Sequence, residues 1–432
     1  MSKTPWGKAE ELGSRRLAPG PSHSREAVAS NQRERLLGAT VAVVADLGYE
    51  ATRVADIISV AGVSRSAFYK HFDNKQECFM ATIDEIVRAV SQTIATTYDS
   101  HDGPWDDRLR AALDVFVALT VAQPAAARLC FVEVYAAGPE AIEHVEGIGD
   151  GFVSLAVDAL RESPERAGAQ RELVRAVVGG LRQIIHARLL HERQEELSEL
   201  ASDLFDWCLS YRAPVEPLRR PRKPPALPPS APRPDAPRDR ILNAVFEIAA
   251  EKGYRQMTIT EIARRASVSL STFYMLFDGK PDVFLAAIDD GERRMLEIAL
   301  PAYHEAPDWP HAVKNGLHAF FAFMACNPAT ATLGGLDVFS GGTGALERHA
   351  RSLQRFQALL SRGFEQHPDT SPIVGEAVAG AVAELLYQGI RDSNPGRLYE
   401  LASAATFVAL SPFVGPVEAT AVANEGWRPS AG

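Results

Sequence analysis

Arg53, Ser64, Arg65, Ser66, Ala67, Tyr69, Lys70, His71 and Lys75 fall within one short stretch of this 432-residue chain, and Thr258, Arg264, Arg265, Ser269, Ser271, Thr272, Tyr274 and Lys280 within another. Small hydroxyl and methyl side chains let a helix backbone approach base edges, and an arginine among them can pair bidentately with guanine. Lys75 and Lys280, each at the start of a further helix, are placed to meet phosphate as point charges reinforced by a helix N-terminus. The chemistry implied is the reading of duplex DNA. The two stretches are unlike: Arg65, Lys70 and His71 of the first correspond to Leu270, Met275 and Leu276 of the second, while Arg264 and Arg265 replace Ser59 and Val60. Leu270 either touches a thymine methyl or marks a head losing its grip on DNA.

Such residues need a helix-turn-helix to present them. Leu36, Thr40, Val43, Val44 and Leu47 recur at helical spacing, as do Ile241, Val245, Ile248 and Ala249. Gly48 and Gly253 stop these helices, each followed by tyrosine. Two short helices then follow in each stretch, over 54–60 and 64–72, and over 259–265 and 269–277. Ala61-Gly62-Val63 and Ala266-Ser267-Val268 form the turns. Gly62 supplies the left-handed backbone of the turn, and Ser267 takes the same position at a strain of about 1 kcal/mol. Ser64 and Ser269 are placed as N-caps, and Thr258 with Glu261 forms a capping box. Ile57, Val63, Phe68 and Phe72, matched by Ile262, Val268, Phe273 and Phe277, are the expected pegs between the helices.

These stretches belong to a longer repeat. Residues 33–85 align without a gap to 238–290 at an offset of 205, with 21 of 53 positions identical. A second match, 197–202 against 398–403, shows that the halves share a whole plan. Between them lies a proline-rich basic linker, 212–237, expected to be semi-extended and solvated. Residues 1–30 are expected to be a disordered tail, with Arg15, Arg16 and Arg25 as candidates for a DNA arm. Net charge is −10, so affinity for DNA must come from local basic surface. Cys78, Cys130, Cys208 and Cys326 are scattered and read as buried reduced thiols, with no metal or disulfide framework. The longest apolar run is half a membrane span, so no membrane role is expected.

The run from the glycine stop through AGVSRSAFYKHFDNK, repeated as ASVSLSTFYMLFDGK, resembles the tetracycline-repressor (TetR) family of regulators. The resemblance covers about 50 residues twice, and three helices, turn, aromatic pair and trailing lysine all recur. It implies an all-α protein of two tandem TetR-like halves, each a DNA-binding head on a helical body that holds a small-molecule effector and dimerises through its last two helices. Tyr69 and Tyr274 stand where family members direct a tyrosine at the DNA backbone. The expected partners are a double-stranded DNA operator and an effector, with no cofactor, in the cytoplasm.

The segments that follow are a first head (31–91), a first body (92–211), the linker, a second head (238–296), a second body (297–415) and a C-terminal tail (416–432). Helices over 173–190 and 373–390 are apolar around much of their circumference, and Gly179-Gly180 and Gly380-Ala381 would let them approach closely. With the helices over 197–211 and 398–410 they suggest an intramolecular pseudo-dimer, a homodimer being the alternative. Trp105, Phe116, Phe131, Tyr135 and His186, and Trp309, Phe320, Phe323 and Tyr387, are candidate pocket residues. His186 and Tyr387 occupy equivalent repeat positions. The function expected is a repressor released by its effector. A ligand-binding or interaction protein of the same fold with inactive heads is the alternative. Nucleotide, hydrolase and metalloprotease signatures are missing from the sequence, so no enzyme is expected.

Overall fold

The computed structural model describes residues 3–17, 23–227, 236–392 and 395–428. Helix makes up 79% of the described residues, and the strands among them are two-residue pieces, Lys3–Thr4 and Gly7–Lys8. The helices in the first half are α1 (Ala9–Leu12), α2 (Arg25–Ala51), α3 (Val54–Ala61), α4 (Arg65–His71), α5 (Lys75–Ser100), α6 (Trp105–Ala122), α7 (Pro124–Arg128), α8 (Val134–Ala137), α9 (Pro139–Leu160), α10 (Arg171–Leu190) and α11 (Glu196–Ser210). Those in the second half are α12 (Pro237–Gln256), α13 (Ile259–Arg265), α14 (Leu270–Leu276), α15 (Lys280–His304), α16 (Trp309–Cys326), α17 (Pro328–Gly335), α18 (Thr343–Leu359), α19 (Ser361–Gln366), α20 (Ile373–Arg391) and α21 (Ala402–Ala423). The chain divides into two compact units, Met1–Leu155 with Ile184–Phe205, and Ala156–Gln183 with Asp206–Gly432.

In the first unit the head core gathers Leu36, Leu37, Ile57, Phe68, Phe72 and Cys78. The N-terminal segment completes this core: Leu12 is buried in it, and Leu12 and Trp6 cover Gly38 on α2. The expectation of a disordered tail over 1–30 therefore fails for 3–17 and for 23–30. Polar composition predicted disorder, but a few apolar side chains here find a glycine-lined seat. Arg15 is tied to the Trp6 carbonyl within that segment. Residues 18–22 lie outside those described.

In the second unit the matching head core contains Ile241, Val245, Ile262, Phe273, Phe277 and Phe284. In both halves the helix after the recognition helix, α5 or α15, runs unbroken from head into body, across the expected boundaries at 91 and 296. The start of α10 packs on α20 at the expected glycines. A Cβ on Gly180 would stand 2.6 Å from the Ala377 carbonyl oxygen, and one on Gly380 would stand 2.7 Å from Gln183 Cβ. Arg182 pairs with the buried Glu384 at this crossing.

Two boundaries differ from expectation. Linker residues 212–227 are not free: the Val215 and Arg219 amides donate to Thr420 Oγ1 (3.3 Å) and Asn424 Oδ1 (2.7 Å) on and just after α21. Non-proline amides in an extended segment keep their donors, and here α21 supplies acceptors that composition could not reveal. Arg220 pairs with Glu172, while Arg233 lies outside the described residues. Where a tail was expected from 416, α21 continues past Gly415 (φ 77°, ψ 172°) to Ala423, and Trp427 just beyond it is buried. Ile373–Arg391 and Arg397–Ala423 contain apolar windows long enough to cross a membrane, but 72% and 61% of those windows are buried in the protein. Cys78, Cys130 and Cys208 have thiols pushed up to about 12 by burial, whereas Cys326 is exposed, against expectation.

Candidate nucleic-acid interface

The two recognition helices are presented alike. Ser64 (φ −78°, ψ 157°) caps α4 by accepting the Ala67 amide at 3.2 Å; Ser269 (φ −74°, ψ 157°) caps α14 by accepting the Thr272 amide at 3.0 Å. The preceding turns pass through left-handed backbone at Gly62 (φ 62°) and Ser267 (φ 53°), as the sequence requires. Gly48 and Gly253 both have φ 76° with extended ψ, a conformation that is open to glycine and strained for other residues. Thr258 Oγ1 accepts the Glu261 amide, while the Glu261 carboxylate turns to Lys252 and Arg265. In the first head Asp56 accepts the Arg53 amide at 2.8 Å.

Two arginine pairs, absent from the expected site, hold each head together. Arg35 donates to the Ala61 and Gly62 carbonyls, and Arg240 to the Ala266 carbonyl. Arg33 lies over the Phe72 ring and Arg238 over Phe277. All four belong to identical repeat positions, the signal that could have found them.

On the first head Arg53, Ser64, Arg65, Ser66, Tyr69 and Lys70 are exposed, and Ala67 and His71 half-buried. Arg65 lies 5.9 Å from the Tyr69 ring centroid. Burial, then Arg33 and Lys70, hold His71 below its usual range. Lys75 has a duty the sequence did not show: its ammonium donates to the Tyr49 (2.7 Å) and Thr52 (3.0 Å) carbonyls and lies 4.1 Å from the Tyr49 ring centroid. Lys280 repeats this with the Arg255 carbonyl and the Tyr254 ring. On the second head Thr258, Arg264, Ser269, Ser271 and Tyr274 are exposed, and Thr272 half-buried. Arg265 forms a bidentate pair with Glu251 at 2.6 and 2.7 Å, so its charge is already matched.

Each body reaches back to its own head through a carboxylate. Glu133, closing the π-helical turn Leu129–Glu133, accepts the Tyr49 amide at 2.9 Å beside Gly48. Asp337, opening the 3-10 turn Asp337–Ser340, accepts the Tyr254 amide beside Gly253. Burial, against the pull of that amide and of Lys280, raises Asp337 to about 6. His186 and Tyr387 each meet the turn that carries their own half's carboxylate. His186 Nδ1 lies 2.8 Å from the Phe131 carbonyl, and the Tyr387 ring centroid lies 5.9 Å from that of Phe339.

A cavity of about 490 Å³ with chiefly apolar walls is lined by Met295, Ala299, Leu317 and Met324 on α15 and α16, and also by Arg182 and Gln183 on α10. Its volume suits a small molecule. Val338 and Phe339, next to Asp337, form part of its wall.

The family model for bacterial regulatory proteins of the tetR family matches residues 36–82 and again 241–287. In these two stretches the chain is similar to the tetR family. FasR of Mycolicibacterium smegmatis, an HTH-type transcriptional activator, is 28% identical over 177 residues, covering 40% of this chain and 77% of FasR. Among solved structures, FadR of Bacillus subtilis in complex with stearoyl-CoA is 18% identical, with a TM-score of 0.38, covering 41% of this chain and 97% of that one. FadR of Bacillus halodurans is 22% identical, with a TM-score of 0.37, covering 40% and 97%.

Of the pocket residues expected from the sequence, Phe320 and Tyr387 line the cavity. Trp309 and Phe323 are fully buried; Trp309 donates to the Leu359 carbonyl at 3.3 Å, and Arg294 lies over the Phe323 ring. In the first body Phe116 stacks edge-on with Phe131, and Tyr135 with His186. Trp105 opens α6.

Proposed function

We propose that this chain is an effector-controlled, sequence-specific DNA-binding regulator in which two unlike heads of one chain read one operator. The observation that carries this reading is the shared presentation of α4 and α14, with Arg65, Tyr69 and Lys70 exposed on the first. Packing of α10 on α20 through Gly180 and Gly380 within one chain supports an intramolecular pseudo-dimer. Covalent joining replaces a dimerisation equilibrium with an intramolecular one at high effective concentration.

The effector is an apolar molecule held in the cavity. Its arrival displaces the Asp337–Ser340 turn, through Val338 and Phe339, and loosens the Tyr254 joint that holds the second head. A coupling of about 1–3 kcal/mol between the sites is typical of such switches. Output is repression relieved by the effector, although the relative FasR carries the name of an activator. The test uses fluorescence anisotropy on a duplex selected from random DNA, with and without a fatty acid or similar apolar ligand. The ligand should weaken binding of the parent protein, and Ala299→Phe, which fills the cavity, should abolish that effect while leaving DNA binding intact. A chain that selects no sequence would refute the reading.

A further inference from the structure

On a helix turning 100° per residue, the buried Phe273 fixes the opposite, outward face of α14 near Ser271 and Met275. Leu270 and Tyr274 flank that centre on one side, Thr272 and Leu276 on the other. Met275 is 74% exposed, Tyr274 56%, Leu270 47% and Leu276 40%. Among the described residues, four of nine exposed large hydrophobics thus lie on one seven-residue helix. In the first head the same outward places are held by Ser66 and Lys70, flanked by Arg65, Tyr69, Ala67 and His71.

We infer that Met275 and Leu270 are specificity-determining residues that read the methyl groups of thymines in a second, T-rich half-site, while Arg65 reads guanine in the first. The inference rests on the reading of the chain as a DNA-binding regulator and names the chemistry of its second half-site. Thymine alone offers a methyl group in the major groove, and an apolar side chain is its natural contact. Methionine suits this role because it is unbranched and polarizable. The occupant is DNA because everything around the apolar residues remains built for it. The cap, the turn and the exit of α14 match α4, Phe277 (φ −145°, ψ 138°) closely following Phe72 (φ −147°, ψ 136°). The hydroxyls of Ser269, Ser271 and Thr272 still open the helix, and the exposed Arg264 stands on the helix before it.

The test uses the full chain and an operator selected from random duplexes. Deoxyuridine then replaces each thymine singly, removing only the methyl. Burying one methyl corresponds to about a fourfold change in affinity, so each thymine read by α14 should lose roughly that on replacement. Met275→Lys and Leu270→Arg, which restore the first head's residues at exposed positions, should erase this penalty and move the preference away from thymine. An unchanged melting curve confirms that the variants fold. A selected operator with two half-sites but no deoxyuridine effect overturns the inference. So does selection of the first half-site alone, the result expected if this face docks a protein or a second copy. Both outcomes leave DNA reading by the first head standing, whereas selection of no sequence at all removes the proposed function itself.

Discussion

Replacing Asp337 with asparagine isolates the joint between the second body and its head. The Asp337 carboxyl accepts the Tyr254 amide with one oxygen, and its other oxygen, Oδ2, is buried without a partner. This desolvation raises its pKa from the usual 3.8 to about 6. The folded protein therefore binds more protons than the unfolded chain between those values. The group's stabilising contribution is complete below about pH 4 and is lost as pH rises through 6. At about 1.4 kcal/mol per unit, the full loss is roughly 3 kcal/mol, of which about 1.4 kcal/mol falls between pH 5 and 7.5. Asparagine keeps an acceptor for Tyr254 and cannot ionise. Its buried amide has a cost of its own, but that cost is equal at both pH values and cancels in the difference. Scanning calorimetry of the full chain should thus show Asp337→Asn gaining about 1.4 kcal/mol on the parent between pH 5 and 7.5, or about 3–6 °C in melting temperature for a unit of this size. Parallel pH profiles for the two proteins would show that Asp337 is held by Lys280 as an ordinary carboxylate, and would refute the reasoning.

Three further outcomes follow from the same geometry. Arg65→Ala should relax preference at one base pair, by about 1–3 kcal/mol, whereas Lys70→Ala should weaken all sequences and lower the salt slope by about one, both read by anisotropy over a salt series. Lys75→Met should lower the melting temperature of the first head as well as its DNA affinity, because charged hydrogen bonds to the Tyr49 and Thr52 carbonyls are worth about 1.5–3 kcal/mol each; an unchanged melt would leave phosphate as its only task. Gly180→Ala places a methyl against the Ala377 carbonyl and Trp207, and should destabilise the α10–α20 packing by about 1–3 kcal/mol in urea unfolding, with no change expected if the helices part freely.

What was legible in the sequence is local or repeated. The turn through Gly62 and Ser267, the serine caps and the kinks at Gly48 and Gly253 each follow from a few adjacent residues, and the repeat displays them twice. The close approach at Gly180 and Gly380 was legible because only a missing side chain permits it. Lys75, Lys280 and Arg265 show the limit of such reading. A cation near a recognition helix reads as a phosphate contact, yet these three also grip carbonyls or a glutamate brought in by tertiary packing. Glu133 and Asp337 differ in type and lie about 85 residues from the tyrosines they meet, so no local pattern marks them. The ordered N-terminal segment and the packed part of the linker escaped for a related reason. Composition reports what a segment can bury by itself, whereas Leu12 and the Val215 amide depend on partners elsewhere in the chain.

The central claim is that one chain supplies both heads to one operator. The most direct measurement is the mass of the complex with a selected duplex, by light scattering or native mass spectrometry, combined with footprinting of the two half-sites. The account predicts one chain per duplex, protecting two half-sites of unlike sequence, with affinity that does not fall away on dilution. Two chains on a palindrome, each protecting one half-site, would contradict it.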